Sequence, residues 1–570
     1  MKKIICILLS LISFACLTAC GTTTDSSADK VEIKIINYDG GVGNSWLENA
    51  AARFEKKVSE KVYGGKKGVK ISITPKMELG LDSISTSATH IYFGGAMPKL
   101  RSMMQNGNLA DLSDVFTAVG EDGKTIESKI AKNYRSVLKG TDDKYYAIPH
   151  YEWFSGLSYD IELFDKNGFY FAAQDETDVL PFVSSKGFGS ANFIGSKNAK
   201  KSCGPDGDYS TEYDNGLPSS IQELLLLCEY MKLTFNVDTP ILYTGGHENY
   251  SNILTSAVWA SLASAGEIKN CYNFSGKVSI VNGYKDGENF FNSDIPVPNI
   301  VMSPELTEAT GYYTTQTAAR YYANAFMSIA QENGFIDGVS TTYENTTAMQ
   351  DFISSGVGAT RTSAMLIEGT YWYNEAESYD LFNNYYVAIK HEKDYRSIGF
   401  MTMPTQWGGT VEPGKGKNAT LCDSACSFAV VNARFSKNKD LMDAIKDFIK
   451  FLYTDDELSK FTGETGVSRA AFDYELNKDD EDRLNSFKKT VWTLRNDGDV
   501  VYAASDNNNA TFKNAYQDLA VYRGSTFLTP EMPNGRIYAS ILNALKDYSA
   551  KDIFEKTKLD ATTWSRFYKG

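Results

Sequence analysis

The chain has 570 residues, well beyond the roughly 250 to 300 at which a single hydrophobic core stops growing, so at least two domains are expected. It carries 57 Lys and Arg against 71 Asp and Glu, a formal charge of −14, and no segment clusters the basic residues that phosphate binding demands, which excludes nucleic acid as a partner. Aromatic residues make up 13%, with 35 Tyr, enough to build cores and also to supply flat apolar faces with polar tips at a binding surface.

Lys2 and Lys3 precede an apolar run from Ile4 to Leu17, which has the length of a signal-peptide core and is too short to span a bilayer. It ends in Leu17-Thr18-Ala19-Cys20, which resembles the lipobox of bacterial lipoproteins. That resemblance implies removal of residues 1–19 and lipidation of Cys20, with residues 20–30 as a solvated tether. Two or more acyl chains, at about 0.8 kcal/mol per buried CH₂, would hold such a chain stably at a membrane. The alternative is an ordinary secretory signal with a chance cysteine. Later apolar runs such as Ser424 to Val431 have only strand length.

The next segment alternates Val31, Ile33 and Ile35 as a strand does, then breaks at a glycine-rich turn from Asp39 to Asn44. Ser45 with Glu48 reads as a capping box, and Trp46, Leu47, Ala50, Ala51, Phe54 and Val58 form one apolar helical face. Strands follow at "VKISITP" (69–75) and "THIYFGG" (89–95), then a helix from Pro98 to about Gln105 closed by Asn106-Gly107. This β-α-β-α order predicts an α/β fold with a parallel, doubly wound sheet. Ligands in such sheets bind beyond the carboxyl ends of the strands, here the turns 39–44 and 94–97. Near the C-terminus only helices are legible, such as Ile537 to Tyr548.

After Cys20 come Cys203, Cys228, Cys271, Cys422 and Cys426, which do not form a disulfide framework and allow one pair at most. Cys422 and Cys426 lack the second Cys or His pair of a metal clip and read better as small buried residues beside a strand. In "CGPDGDYSTEYDNGLP", Asp206, Asp208 and Asp214 place hard oxygen ligands on a loop that a structural Ca²⁺ could use, although a solvated acidic turn is favoured and the EF-hand spacing is absent. No other cofactor is expected. "GTVEPGKG" (409–416) ends in Gly416 where a P-loop needs Ser or Thr, and HExxH and GxSxG are absent. A glycoside hydrolase needs only two suitably spaced carboxylates and stays open as the enzyme alternative.

The stretch "DDKYYAIPHYEWFSGLSYDIELF" resembles the strand that crosses between lobes in the extracellular solute-binding proteins of sugar ABC transporters, commonly "GKxYGIPxxxxxxGLxYNKxLF". "SGVGATRTSAMLIEGTYWYNE" resembles their "GKAAMxxxGxW" segment, "SIGFMTMPTQWGG" their "xxGxxPxP" strand, and "KDLMDAIKDFIKFLYTDDELSKF" their "AAxxFIxFLxSxExQ" helix, all in the family's order. The resemblance implies a two-lobed periplasmic-binding-protein-like fold. Lobe one is expected at 31–148 plus 400–466, and lobe two at 149–399 plus 467–570, with an insertion at about 175–301. It also implies a non-enzymatic, monomeric protein that captures a carbohydrate by hinge closure and delivers it to a permease. The contacts it implies are Asp39, Gly40 and Asn44 in the first turn, Trp153 on the crossing, Tyr371 and Trp372 beside Gly369, and Trp407 on the return. Here Gly369-Thr370-Tyr371-Trp372 leaves open which aromatic stacks on a sugar. A binding protein for a peptide or another solute is the remaining alternative.

Overall fold

The structure is a computed structural model that describes residues 30–95, 100–204, 216–247, 250–358, 360–391, 394–409, 420–423, 427–502 and 538–568. Strand β1 (Val31–Tyr38) buries Val31, Ile33 and Ile35 and exposes Glu32 and Lys34, the period of two that its sequence shows. Helix α1 (Ser45–Lys57) buries Trp46, Leu47, Ala50, Ala51 and Phe54. Its start differs from the expected capping box: Asn44 is the N-cap and Ser45 the first helical residue, with no side-chain cap bond. The Asn44 amide is engaged elsewhere, donating to Asp39 and accepting from Asn37 Nδ2 at 2.7 Å, so it stitches the turn rather than the helix.

Strands β2 (Val69–Lys76) and β3 (Ile91–Phe93) pair parallel with β1 on either side. The chain then reaches β4 (Ala147–Pro149) and crosses through residues 150–154 to β5 (Ser155–Asp160). Helix α2 (Ile221–Phe235) leads to β6 (Thr239–Leu242), followed by α3 (Tyr250–Leu262), the hairpin β7 (Ser279–Asn289) and β8 (Pro296–Met302), and α4 (Ala318–Glu332). Next come β9 (Ser363–Gly369), α5 (Trp372–Ser378) and β10 (Ile398–Met401). The return runs through β11 (Thr420–Asp423) to β12 (Phe428–Val431), α6 (Lys439–Leu452), α7 (Asp455–Thr465), α8 (Ser486–Asp497) and β13 (Asp499–Tyr502).

Two principal sheets result, in the orders β2-β1-β3-β12-β4 and β6-β9-β5-β10, as a two-lobed α/β fold requires. They are mixed. β12 runs antiparallel to β3 and β4, and β5 runs antiparallel to β9 and β10. β4, β5, β10 and β12 are the strands joined by the crossings between sheets, and a strand entering from the other lobe need not follow the βαβ direction. The region expected as an insertion at 175–301 contributes β6, an edge strand of the second sheet, and α2, whose Leu224 to Leu227 are buried. That part belongs to the lobe itself, because an open edge and an exposed Leu run would otherwise face water.

The first core continues past residue 466 through Val467, Ala470, Ala471 and Phe472, whereas Phe487, Val491 and Leu494 of α8 pack with Phe400 and Trp372. The crossings are tied by buried polar groups. Glu152 accepts from Arg495 Nε at 2.9 Å and from Tyr502 Oη at 2.7 Å, while Arg469 meets His150 Nδ1 at 2.6 Å beneath the Trp46 ring. Cys203, Cys228, Cys271 and Cys422 are buried free thiols; Cys426 lies outside the described residues.

Candidate functional site: the interlobe cleft

The cleft is built where β1 and β3 end in glycine turns opposite the end of β9. Gly41 has φ +65°, in the left-handed region, and a Cβ there would lie 2.5 Å from the Tyr151 hydroxyl oxygen. A Cβ on Gly95 would lie 2.6 Å from Tyr38 Cδ1 and 3.2 Å from the same Tyr151 oxygen. Glycine is therefore what lets two tyrosines lie flat on the lobe-one turns. From the other lobe, Glu375 of α5 reaches over and accepts from the Gly41 N–H at 2.9 Å, a buried hydrogen bond between the lobes.

Trp153, on the first crossing, is half-buried and packs against the cores of both lobes. Its ring meets Tyr371 edge to face, with centroids 5.1 Å apart and planes at 86°. Such a pair contributes about 0.5–1.5 kcal/mol beyond area burial. Gly369 is required beneath them, since a Cβ would approach Tyr371 Cε1 to 2.5 Å and Trp153 Cε3 to 2.9 Å.

Glu368, the penultimate residue of β9, is wholly buried, and burial pushes its carboxyl up to about 8, with the nearby Glu375 charge adding to the shift. Burial likewise pushes Glu375 up to about 7. Tyr38, Tyr151, Tyr250 and Tyr371 are all raised from the ordinary phenol value, first by burial and then by these carboxylates and one another. The cleft is thus aromatic, hydroxyl-rich and acidic.

Of the residues expected from sequence, Asp39 is exposed at the rim, Gly40 lies under the Tyr38 ring, and Asn44 ties the turn. Tyr38, Tyr151 and Glu375 contact the same turn at Gly40 and Gly41. Trp372 is not a cleft residue: it is fully buried among Phe352, Tyr373, Phe382 and Phe487, and its indole N–H donates to Ser158 at 2.8 Å. The choice left open between the two aromatics falls to Tyr371. Trp407 is half-buried and stacks at 4.8 Å on Tyr322 beside Phe290. Cys20, Asp206, Asp208 and Asp214 lie outside the described residues. Among the described residues no group of three or more His, Cys, Asp or Glu is placed to hold a metal, and no helix is long and apolar enough to cross a membrane. Sequence reasoning missed Tyr38, Tyr151, Tyr250, Glu368 and Glu375; the abundance of Tyr was the one available signal.

Two lobes joined by crossing strands, with an aromatic and acidic cleft between them, define the solute-binding-protein class of fold. Solved structures agree on that class: apo RafE from Streptococcus pneumoniae matches with a TM-score of 0.51 at 13% identity, covering 94% of this chain and 98% of that one. A chitin oligosaccharide binding protein matches with a TM-score of 0.50 at 16% identity, covering 93% and 99%, and maltose-bound T. maritima MalE3 with 0.50 at 11%, covering 94% and 99%. No family model matches the chain, and no curated protein matches it. At these identities the likeness is one of fold.

Proposed function

We propose that this chain is a lipid-anchored binding protein that captures a carbohydrate, most simply an oligosaccharide, by hinge closure and presents it chemically unchanged to an ABC permease. The observation that carries this reading is the partly buried Trp153–Tyr371 pair at the lobe junction, an aromatic platform of the kind that takes the C–H face of a pyranose. Support comes from the solved neighbours, whose descriptions name chitin oligosaccharide, raffinose and maltose. The Glu375–Gly41 hydrogen bond across the cleft gives closure a specific contact. The lipobox-like Leu17 to Cys20 supports a mature protein held outside the cell by acyl chains, and the protein is read as a monomer. A Ca²⁺ on Asp206, Asp208 and Asp214 would be structural, and chelation would then lower Tm.

A thermal-shift screen of the chain from residue 21 against plant, host and starch oligosaccharides tests the reading. Ligand at 100 times its Kd adds about 2.7 kcal/mol of stability if it binds only the native state. The expected result is a shift with intact sugar that Trp153→Ala and Tyr371→Ala abolish. A cleaved sugar would make the protein a hydrolase; shifts with peptides and none with glycans would make it a peptide receptor.

A further inference from the structure

Glu368 and Glu375 are 0% and 8% exposed, and each has one oxygen in a hydrogen bond to a backbone N–H. Gly369 N–H donates to Glu368 Oε1 at 2.9 Å, and Gly41 N–H donates to Glu375 Oε1 at 2.9 Å. The second oxygen of each, Oε2, is buried and makes no well-formed hydrogen bond among the described residues, although the Tyr250 and Tyr371 hydroxyls lie beside Glu368 and the Asn345 amide beside Glu375. A buried acceptor left unmatched costs about 1–3 kcal/mol, and more when charged, so two in one cleft form a site that a further hydrogen-bond donor would complete.

The groups around the pair fix the sign of that complement. Asp39 and Tyr38 approach from the end of β1, Tyr151 from the crossing and Asp423 from β11. Tyr250 comes from the start of α3, Tyr371 and Tyr379 flank α5, and Asn345 lies beside Glu375. These groups are acidic or neutral, and the His247 ring meets Tyr250 edge to face at 5.6 Å. Lys488, which reaches α5, is taken by Glu377 at 2.8 Å. A sugar hydroxyl brings one proton, whereas an ammonium brings three and a positive charge, enough for both Oε2 atoms and a tyrosine oxygen.

We propose that the cleft contains a subsite for a protonated amine, formed by Glu368, Glu375 and the Tyr250 and Tyr371 hydroxyls, so that the captured saccharide is an amino sugar with a free ammonium. This rests on the reading of the chain as a saccharide-capture protein. The high proton affinity of both carboxyls in the empty cleft has the same origin, a proton standing in for the cation. Amine binding therefore releases protons.

The test is isothermal calorimetry on the chain from residue 21 with glucosamine oligomers, their N-acetylated counterparts, glucose oligomers of equal linkage and length, and methylamine. Glucosamine oligomers are expected to bind at least about tenfold more tightly than the neutral pair, the size of one charge-assisted hydrogen bond. Their binding heat in two buffers of different ionisation enthalpy should report proton release, absent for the neutral oligomers, and Glu375→Gln and Glu368→Gln should erase the preference. The buffer comparison on the unaltered protein decides even if the variants do not fold. Neutral oligomers binding as tightly as the amine form would overturn the amine subsite and leave saccharide capture standing. Methylamine binding as tightly as the oligomers would leave the amine subsite standing and overturn saccharide capture, whereas no oligomer binding at all would overturn both.

Discussion

Tyr371 and Trp372 are adjacent in sequence and opposite in environment. The turn after β9 leaves Tyr371 edge-on to Trp153, whereas Trp372 starts α5 and points into the lobe-two core with its N–H satisfied by Ser158. Trp372→Ala should therefore cost about 3–5 kcal/mol by chemical denaturation, while Trp153→Ala costs less stability and removes ligand-induced stabilisation. The two positions separate packing from binding in one experiment. Glu368 gives a pH signature. Its folded value of about 8 lies above the ordinary 4.5, so the folded state holds the proton more tightly, and the stability this adds is full below 4.5 and lost as pH rises through 8. Glu375 and Glu223, both pushed up to about 7, act in the same direction. His90, lowered to about 4, acts oppositely and removes stability as pH falls from 6.5 towards 4. Denaturation of Glu368→Gln at a series of pH values should show a flatter decline between about pH 5 and 8, by a few kcal/mol in total.

The elements that place the site depend on short-range chemistry at their ends. Turn 39–44 holds its shape through Asn37, Asn44 and a left-handed Gly41. Gly41→Ala combines unfavourable φ with a clash at Tyr151, so a loss of about 1–3 kcal/mol and weaker ligand binding are expected, read by Tm with and without ligand. Helix α2 is capped by Ser220, whose side chain accepts from the Glu223 N–H at 3.1 Å, while Glu223 Oε2 accepts from Ser219 N–H at 2.6 Å. Ser220→Ala should lower stability by about 1 kcal/mol, measured by denaturant midpoint at unchanged slope. The same residue pattern at Ser45 and Glu48 did not cap α1, because Asn44 precedes it and its amide is committed to the turn. A capping motif read from spacing cannot register such competition.

At the scale of the molecule, the lobes meet through the crossings, and the Glu152–Arg495–Tyr502 cluster ties the first crossing to the segment after the last. Arg495→Ala leaves Glu152 buried without its cation and should cost about 3–5 kcal/mol, seen as a large drop in denaturant midpoint. The sequence by itself determined the two-lobed α/β class, the apolar face of α1, the glycine turn after β1, and Trp153 as a crossing aromatic, because each follows from local periodicity, turn chemistry or a motif contiguous in the chain. It did not show that the region 175–301 supplies a strand of the second sheet, since the pairing of β6 with β9 joins residues more than a hundred positions apart, and neither strand names its partner. Only the tertiary structure decided that Tyr371 rather than Trp372 faces the cleft and that Glu368 and Glu375 approach Gly41 and four tyrosines. Burial and charge proximity are properties of where distant segments meet, and a carboxylate's neighbours across a cleft leave no mark on its own stretch of sequence.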